Sequence, residues 1–260
     1  MRRQTLQIAL LLSLGSVVGA QAPNAVPFGA GERLYFTVRS KLGTVGRAVM
    51  AINGAAELAG TRTLLASFST RIHVAFMRGG TEGRSWIDPL RMASLRYVED
   101  EYRPFASVRD SVEIDPAGQR WTGLKGDGGF TATDKPLDEL SFIYFLRTVD
   151  LARDSLYSFD RFYDKRRTPT TVRLVRRDTL RASFGNVSVV VLDMMVKDKI
   201  GRGGDKTIRL WLSDDPCRVP VRIESSLPYL GLGIMTLDSA STPACVAASP
   251  ARATRAYLSR

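Results

Sequence analysis

The sequence predicts a mainly β protein in which an antiparallel meander forms a curved sheet, with one helix packed against it. The strongest indication is the segment 208–226, where two runs of alternating apolar and polar side chains flank an acidic turn at Asp214 and Asp215. This alternation places Ile208, Leu210 and Leu212 on one face of a strand. Runs of the same period recur along the chain and are interrupted by one segment of helical character, so the fold class is β with a single packed helix.

Strands are expected wherever short alternating runs lie between Gly, Asn or other turn residues. In the first half they are expected at 34–38, 43–52, 61–69, 85–89, 93–98, 106–114 and 128–132. In the second half they are expected at 157–163, 171–176, 187–196, 207–213, 219–226 and 231–238. Successive strands with short connections favour a meander.

The segment 136–147 breaks the period of two and predicts a helix of about three turns. Pro136 suits a first helical turn, acidic residues follow it, and Arg147 lies near the negative end of the helix dipole. Leu137, Leu140 and Tyr144 form an apolar stripe, and the apolar girth is broad. We expect this helix to press against the sheet or to plug a half-barrel; docking on a membrane surface is the alternative, although the polar face lacks basic residues.

The first 20 residues have the pattern of a cleavable secretory signal. Arg2 and Arg3 precede an apolar run at 8–14, which is too short to span a bilayer, and small residues end the segment at Gly19 and Ala20. We therefore expect export to the periplasm or cell envelope, and a soluble mature chain with no transmembrane segment. We expect a disordered N-terminus at 21–27, a single β domain at 28–241 and a flexible C-terminal tail at 242–260.

The chain is strongly basic, with a formal net charge of +11. Removal of residues 1–20 takes away Arg2 and Arg3 and no acid, which leaves +9. Such an excess favours contact with polyanions, but an exported protein meets anionic lipid before nucleic acid. We expect no nucleic-acid partner and interpret the excess mainly as an arginine-rich solvated surface.

Several short motifs stand out together along the chain. The most specific is Trp211 to Asp215, which includes Asp214, followed by Arg218 and Pro220. The others are Gly31, Glu32, Trp86, Asp88 and the segment 136–147. With these motifs the chain resembles an exported bacterial family, the domain of unknown function 3108. The similarity covers about 28–239, with departures at Phe36 and Cys217. It implies a periplasmic or envelope antiparallel architecture, an open barrel like lipocalins or lipoprotein carriers, with no established reaction and no catalytic residues to carry over.

Candidate catalytic groups are few. His73 is the sole histidine and lies in an alternating strand, so a histidine-rich metal site is excluded and a structural role is favoured. Five carboxylates could do acid–base work, but no spacing singles out a pair: Asp160, Asp164, Asp214, Asp215 and Glu224. Asp214 and Asp215 are interpreted as turn formers. We expect no cofactor, no metal and no catalytic residues, with a carboxylate hydrolase as a third hypothesis.

Two function classes precede that hydrolase. The first is a noncatalytic module that binds or carries a lipid or another hydrophobic envelope ligand within the curved sheet. The second is an envelope assembly or scaffold protein that uses a sheet edge or surface aromatic residues to bind a protein partner. Trp86, Trp121 and Trp211 could line a ligand cavity, although core or sheet-surface positions are the simpler interpretation.

Cys217 and Cys245 are the two cysteines, and both lie in the part of the chain that survives export. An even cysteine count in an oxidising compartment favours a disulfide. If 219–226 and 231–238 form a hairpin, Cys217 lies opposite about residues 239–241, and the tail can bring Cys245 back across this short gap. We expect one bridge between them; two free thiols are the alternative.

Overall fold

The computed structural model describes residues 26–75, 77–103, 106–151, 155–197, 205–227 and 231–248. The expected signal peptide lies outside these residues. The first half of the chain forms β1 (Arg33–Ser40), β2 (Gly43–Leu58), β3 (Thr61–Val74), β4 (Met77–Asp88), β5 (Ala93–Arg103), β6 (Ala106–Asp115), β7 (Arg120–Gly123) and β8 (Gly128–Phe130). The second half forms β9 (Leu156–Phe159), β10 (Thr170–Ala182), β11 (Gly185–Val196), β12 (Lys206–Ser213), β13 (Pro220–Leu227) and β14 (Gly231–Ser241). Two helices, α1 (Glu139–Leu146) and α2 (Pro243–Ala248), complete the described elements.

All fourteen described strands belong to one antiparallel sheet, which confirms the predicted mainly β meander. Strands β1 to β8 follow one another outward from β1, and β9 to β14 follow one another inward to β14. The two halves meet where β1 pairs with β14 in the middle of the sheet. Among the described strands, β8 and β9 are the edges, and no ladder joins them.

Helix α1 is shorter than predicted and begins at Glu139, because Asp138 caps it. The Asp138 carboxylate accepts hydrogen bonds from the amides of Leu140 and Ser141 at 2.9 and 2.8 Å, so it satisfies two N–H groups that lack partners within the helix. The Ser141 hydroxyl oxygen in turn accepts a hydrogen bond from the Asp138 N–H at 2.9 Å, which completes a capping box. Pro136 and Leu137 therefore lie before the helix.

The sheet wraps around α1, which explains the broad apolar girth of this helix. Its residues Leu140, Phe142, Tyr144 and Leu146 are all buried in the main hydrophobic core. Leu137 pairs with the segment after β9, since its amide donates to the Arg161 carbonyl at 2.5 Å. The gap between the two sheet edges is thus bridged by this segment and by a second apolar cluster of Val112, Ile114, Trp121, Phe162 and Tyr163.

Pro243–Ala248, at the start of the segment 242–260 for which a tail is expected, form α2; residues 249–260 lie outside the described residues. A disulfide joins Cys245, which is 2% exposed, to Cys217 in the turn between β12 and β13. The two Cα atoms are 5.5 Å apart, within the range that a disulfide spans. Helix α2 also packs on the N-terminal turn, because a Cβ placed on Gly29 would lie 2.9 Å from the Ala244 Cβ. The bridge therefore holds the last described helix against the β12–β13 turn, and Ala244 packs it on the N-terminal turn.

We expect the double substitution of Cys217→Ser and Cys245→Ser to lower the free energy of unfolding by about 2–4 kcal/mol, because a bridge that closes 28 residues restricts the unfolded chain. Urea unfolding of the oxidised wild type and the double variant measures this difference. Peptide mapping of nonreduced protein should recover one Cys217–Cys245 pair, and free thiols at both positions would contradict the bridge.

Candidate functional site

The inner face of the sheet is the face that contacts α1, and its side chains follow from the strand register. Cross-strand partners point to the same face of a sheet. Six apolar partners form one continuous row across β10 to β14 and β1: Leu174, Leu192, Leu210, Ile223, Met235 and Val38. The predicted apolar face of β12 is part of this row. The inner face therefore supplies most of the core.

One end of the inner face is closed by polar contacts to α1. Ser85 on β4 donates its hydroxyl to the Asp138 carboxylate at 2.5 Å, and the hydroxyl oxygens of Ser94 on β5 and Ser141 on α1 are 2.6 Å apart. All four side chains are buried. This network fixes the start of α1 against β4 and β5.

The buried Asp138 carboxyl has an unusual acidity. Its burial raises the pKa to about 6, although the hydrogen bonds from Ser141, Ser85 and Ser94 act in the opposite direction. The folded protein therefore takes up a proton at Asp138 at a pH where an unfolded chain has lost it.

The other end of the inner face is partly open. Along β3, Ala66 is fully buried beside Ser85, whereas Phe68, Ile72 and Val74 are only partly buried. On β4, Ile72 lies opposite Gly79, which offers no side chain as cover, whereas Phe68 lies opposite Gly83, over which the Tyr97 side chain lies. Thr70, opposite Thr81, interrupts the apolar residues of β3 on this face. The described residues thus leave a mainly apolar strip on β3 that is least covered beside Gly79.

A group of carboxylates lies directly beside that apolar strip. Gly83 pairs with Glu99 on β5, which in turn pairs with Asp110 on β6. Glu101 occupies the next inward position of β5 and pairs with Thr81 on β4. Glu139 at the start of α1 also acts electrostatically on Glu99. We name Glu99, Glu101, Asp110 and Glu139 the acidic wall.

Glu99 is the most enclosed member of the acidic wall. It accepts a hydrogen bond from the buried Tyr97 hydroxyl at 2.5 Å. Burial raises the pKa of Glu99, and the charges of Glu139, Glu101 and Asp110 raise it further, while the Tyr97 hydrogen bond acts in the opposite direction. Burial also raises the pKa of Tyr97 well above its usual value. No ion pair with an arginine or lysine accompanies Glu99 within the part of the chain that the structure describes.

The wall also carries compensating cations at its margins. The Arg103 guanidinium contacts Glu101 at 2.7 Å, and the Arg167 guanidinium contacts Glu139 at 2.8 Å. Arg167 also stacks 3.9 Å over the Phe162 ring. The margins are therefore neutralised, whereas the centre at Glu99 is not. The acidic wall was not among the sites predicted from the sequence. The local pattern that indicates it is the run of polar side chains at alternate positions 97, 99 and 101 of one strand.

A buried ion pair holds the opposite end of the fold. Glu32 and Arg147 are 1% and 0% exposed and form two hydrogen bonds, from Nη1 to Oε1 at 2.6 Å and from Nη2 to Oε2 at 2.9 Å. Arg147 also donates to the carbonyls of Pro27 and Cys217. Burial alone would lower the pKa of Arg147, but the Glu32 charge and hydrogen bonds raise it above its usual value. Arg147 thus joins β1, the end of α1 and the disulfide turn.

The other family-motif residues have structural contacts. Gly31 adopts a positive φ of 87° and donates its amide to Ile52 at 2.9 Å, so it turns the chain into β1. Asp88 accepts from the amides of Leu90 and Arg91 at the end of β4. The Asp215 carboxylate accepts from the amides of Cys217 and Arg218 and from the Ser213 hydroxyl. The next strand begins at the buried Pro220.

The tryptophans divide between the two faces. Trp86 and Trp211 have the register of the outer face, and each lies beneath an arginine, Arg96 at 5.5 Å and Arg222 at 5.0 Å from the ring centroid. Trp121 lies in the second apolar cluster, 5.5 Å from the Tyr163 ring. None of the three lies along the apolar strip of β3.

The remaining candidate catalytic residues are not brought together by their contacts. His73 is exposed on β3, and Asp160 is exposed after β9. The buried Asp164 caps a short 3-10 turn (Lys165–Arg167) and pairs with Arg166. Asp214 pairs with Arg177, and Glu224 pairs with Arg222. Each charged member of this set thus has a structural partner or faces solvent.

None of the described helices has both the length and the apolar character needed to cross a membrane. Among the described residues, no three His, Cys, Asp or Glu side chains gather as a metal-binding group.

We expect Glu32→Leu or Arg147→Met alone to cost about 3–5 kcal/mol of unfolding free energy, because each leaves a buried charge without its partner. The double variant should cost less than the two single costs together by about 2 kcal/mol, since the unpaired charge is then removed. Urea unfolding of the four proteins measures this coupling. Arg176→Met serves as the control, because its pair with Asp178 is exposed and should contribute little to the free energy of unfolding. Equal costs at the two sites would contradict the role of the buried pair.

Asp138 should make the protein lose stability as the pH rises. Between the unfolded pKa near 4 and the folded value of about 6, the folded state holds the proton more tightly, so raising the pH through this window removes about 2–3 kcal/mol. Asp138→Asn should abolish this contribution, because its amide oxygen still accepts the helix amides and carries no charge.

The measurement is urea unfolding of both proteins from pH 4 to 7. The difference between wild type and Asp138→Asn isolates this residue, since other carboxylates act equally in both. A difference that stays constant across the window, or that changes in the opposite direction, would show that Asp138 is not the titrating group.

Comparison with known proteins agrees with the architecture. A beta-barrel-like protein of domain of unknown function DUF1849 from Brucella abortus is similar with a TM-score of 0.53 and 12% identity, over 81% of this chain and 97% of that chain. Two others are more distant: a predicted lipoprotein from Parabacteroides distasonis (TM-score 0.35, 8% identity, 84% and 99% covered) and a predicted exported protein from Bacteroides fragilis (TM-score 0.31, 11% identity, 83% and 99% covered). Only the first of the three has a TM-score above 0.5, and at 12% identity its similarity concerns the fold alone.

No curated protein matches the chain in sequence. Residues 35–238 match the family described as Protein of unknown function (DUF3108). This match covers well over half of the chain and includes every strand from β2 to β13, so the chain belongs to the DUF3108 family.

Proposed function

We propose that this protein binds or carries a hydrophobic ligand of the cell envelope, such as a lipid, on the inner face of its sheet, without catalysis. The observation that carries the proposal is the apolar strip of Phe68, Ile72 and Val74, which is only partly buried although it lies on the face that elsewhere forms the core. Apolar side chains that remain partly exposed on a curved sheet are typical of ligand sites in β-barrels.

The design of the sheet supports an occupant at this position. Helix α1 covers the inner face near Ser85 and Asp138, so the core there is complete without a ligand. Beyond it, Gly79 leaves the space opposite Ile72 without a side chain. A ligand chain placed there would cover apolar surface, and each buried methylene would contribute about 0.8 kcal/mol. Export to the periplasm or envelope, which the sequence predicts, would bring the protein to such ligands.

The experiment is native mass spectrometry of the exported protein purified without detergent. We expect a bound mass in the lipid range, and Ile72→Asn should lower its occupancy at least five-fold because it places an amide in the strip. The matched control is His73→Asn, the neighbouring residue of the same strand, which is exposed on the outer face. Thermal unfolding of both variants checks that each is folded. Ligand-free wild type, or equal occupancy in the two variants, would contradict the proposal.

A protein partner at a sheet edge is the second candidate. It is favoured by β9, an edge of four residues that pairs with β10 alone among the described strands and exposes Leu156 at 55%. An assembly factor would use this edge for strand addition. Crosslinking in cells from position 156 distinguishes the candidates, because an assembly factor should give one reproducible protein adduct and a carrier should not.

A further inference from the structure

We infer that the ligand of the inner face is an amphiphile whose polar head presents an ammonium group, with its apolar chain on the β3 strip and its head at Glu99. This inference rests on the proposed function and names the chemical class of its ligand. It is drawn from the adjacency of the apolar strip and the acidic wall and from the balance of charge within that wall.

The first step is adjacency. Phe68, Gly83 and Glu99 are successive cross-strand partners on the inner face of β3, β4 and β5. Neighbouring strands are about 4.8 Å apart, so the Phe68 and Glu99 backbones are separated by about 10 Å. Between them the Tyr97 hydroxyl lies over Gly83, 3.3 Å from the position of a Cβ on that glycine, and it donates to the Glu99 carboxylate. A chain that lies on the strip therefore reaches the carboxylate past the Tyr97 hydroxyl.

The second step is charge complementarity. The protein as a whole is basic, with a formal net charge of +11, yet four carboxylates act together here, three in the inner register of β5 and β6 and Glu139 at the start of α1. Arg103 and Arg167 neutralise Glu101 and Glu139, whereas Glu99 has only the Tyr97 hydroxyl as its described hydrogen-bond partner. A cation beside Glu99 would supply the missing charge, and an anionic head would meet repulsion from the same groups.

The third step concerns the state of Glu99 itself. Burial and the neighbouring carboxylates both disfavour its ionised form, as the direction of its pKa shows. An ammonium group reverses this, because an opposite charge within hydrogen-bonding distance favours the ionised carboxylate. Glu99 is therefore suited to a cationic head with N–H donors, and a neutral head would gain only an ordinary hydrogen bond.

The test uses three amphiphiles with the same ten-carbon chain: decylammonium, decan-1-ol and decanoate. Titration calorimetry with ligand-free full-length protein at low salt measures each Kd. We expect decylammonium to bind at least ten-fold more tightly than decanol, and decanoate to bind more weakly than decanol. The advantage of decylammonium should shrink as salt is added, since salt screens partly exposed charges.

Two variants locate the head. Glu99→Gln should remove most of the ten-fold advantage and leave the decanol Kd unchanged. The control is Glu113→Gln, the same chemical change at an exposed carboxylate on the outer face of β6, and it should bind like wild type. If Glu99→Gln does not fold, the comparison of the three amphiphiles on wild type still decides the inference.

The outcomes distinguish the carrier function from the specificity for an ammonium head. Equal affinity for all three compounds, or tightest binding of decanoate, leaves a hydrophobic carrier but overturns the ammonium head. An advantage that persists in Glu99→Gln places the head elsewhere and overturns the assignment to Glu99. No binding of any of the three compounds overturns the proposed function and the inference with it.

Discussion

The buried Glu32–Arg147 pair is the interaction on which the arrangement of this protein depends. Two charges withdrawn from water cost several kcal/mol each, and this cost is offset only when the remaining donors and acceptors also find partners. Here Arg147 meets Glu32, two backbone carbonyls and the rings of Phe28 and Tyr144. The three segments that supply these partners must therefore assemble together, which sets the position of α1 relative to β1 and to the disulfide turn.

With α1 fixed at its end by Arg147 and at its start by Asp138, the sheet is covered over part of its inner face and uncovered over the rest. The helix is tightly enclosed, since Tyr144 is fully buried and its hydroxyl has no hydrogen-bond partner among the described residues. Beyond the helix the same face changes character from a packed core to an apolar strip beside carboxylates. A packed core and a partly exposed apolar strip thus share one face of the sheet.

The sequence predicted the fold class, the meander and the place of the helix because these depend on local period. Leu34, Phe36 and Val38 alternate, and they are buried as their spacing indicates. Boundaries were less predictable: the helix start depends on the Asp138 carboxylate, and β7 is only four residues long. Burial was also less predictable than the alternation suggests. In segments 208–213 and 189–192, Trp211 and Val191 lie on the outer face by their register, yet both are buried.

The site could not be predicted for a different physical reason. Glu32 and Arg147 are 115 residues apart, and Phe68 and Glu99 meet only through the register of three strands. A one-residue change of register would turn Glu99 to the solvent and Asp100 to the interior, so the acidic wall depends on pairing that no local pattern specifies.

The β1–β14 ladder has a consequence for how the chain acquires its fold. It pairs residues about 200 positions apart, such as Val38 with Met235, so the centre of the sheet is the last ladder for which all residues emerge during synthesis. Contacts of such long sequence separation slow folding. Yet in space the strands follow one another as a single uninterrupted meander from β9 through β14 and β1 to β8. A circularly permuted chain, with a linker from the residue after Ala248 to the residue before Val26 and with new ends between α1 and β9, would keep the disulfide and the Arg147 contacts. It would contain the same sheet with only local connections between strands and should fold faster than the natural order.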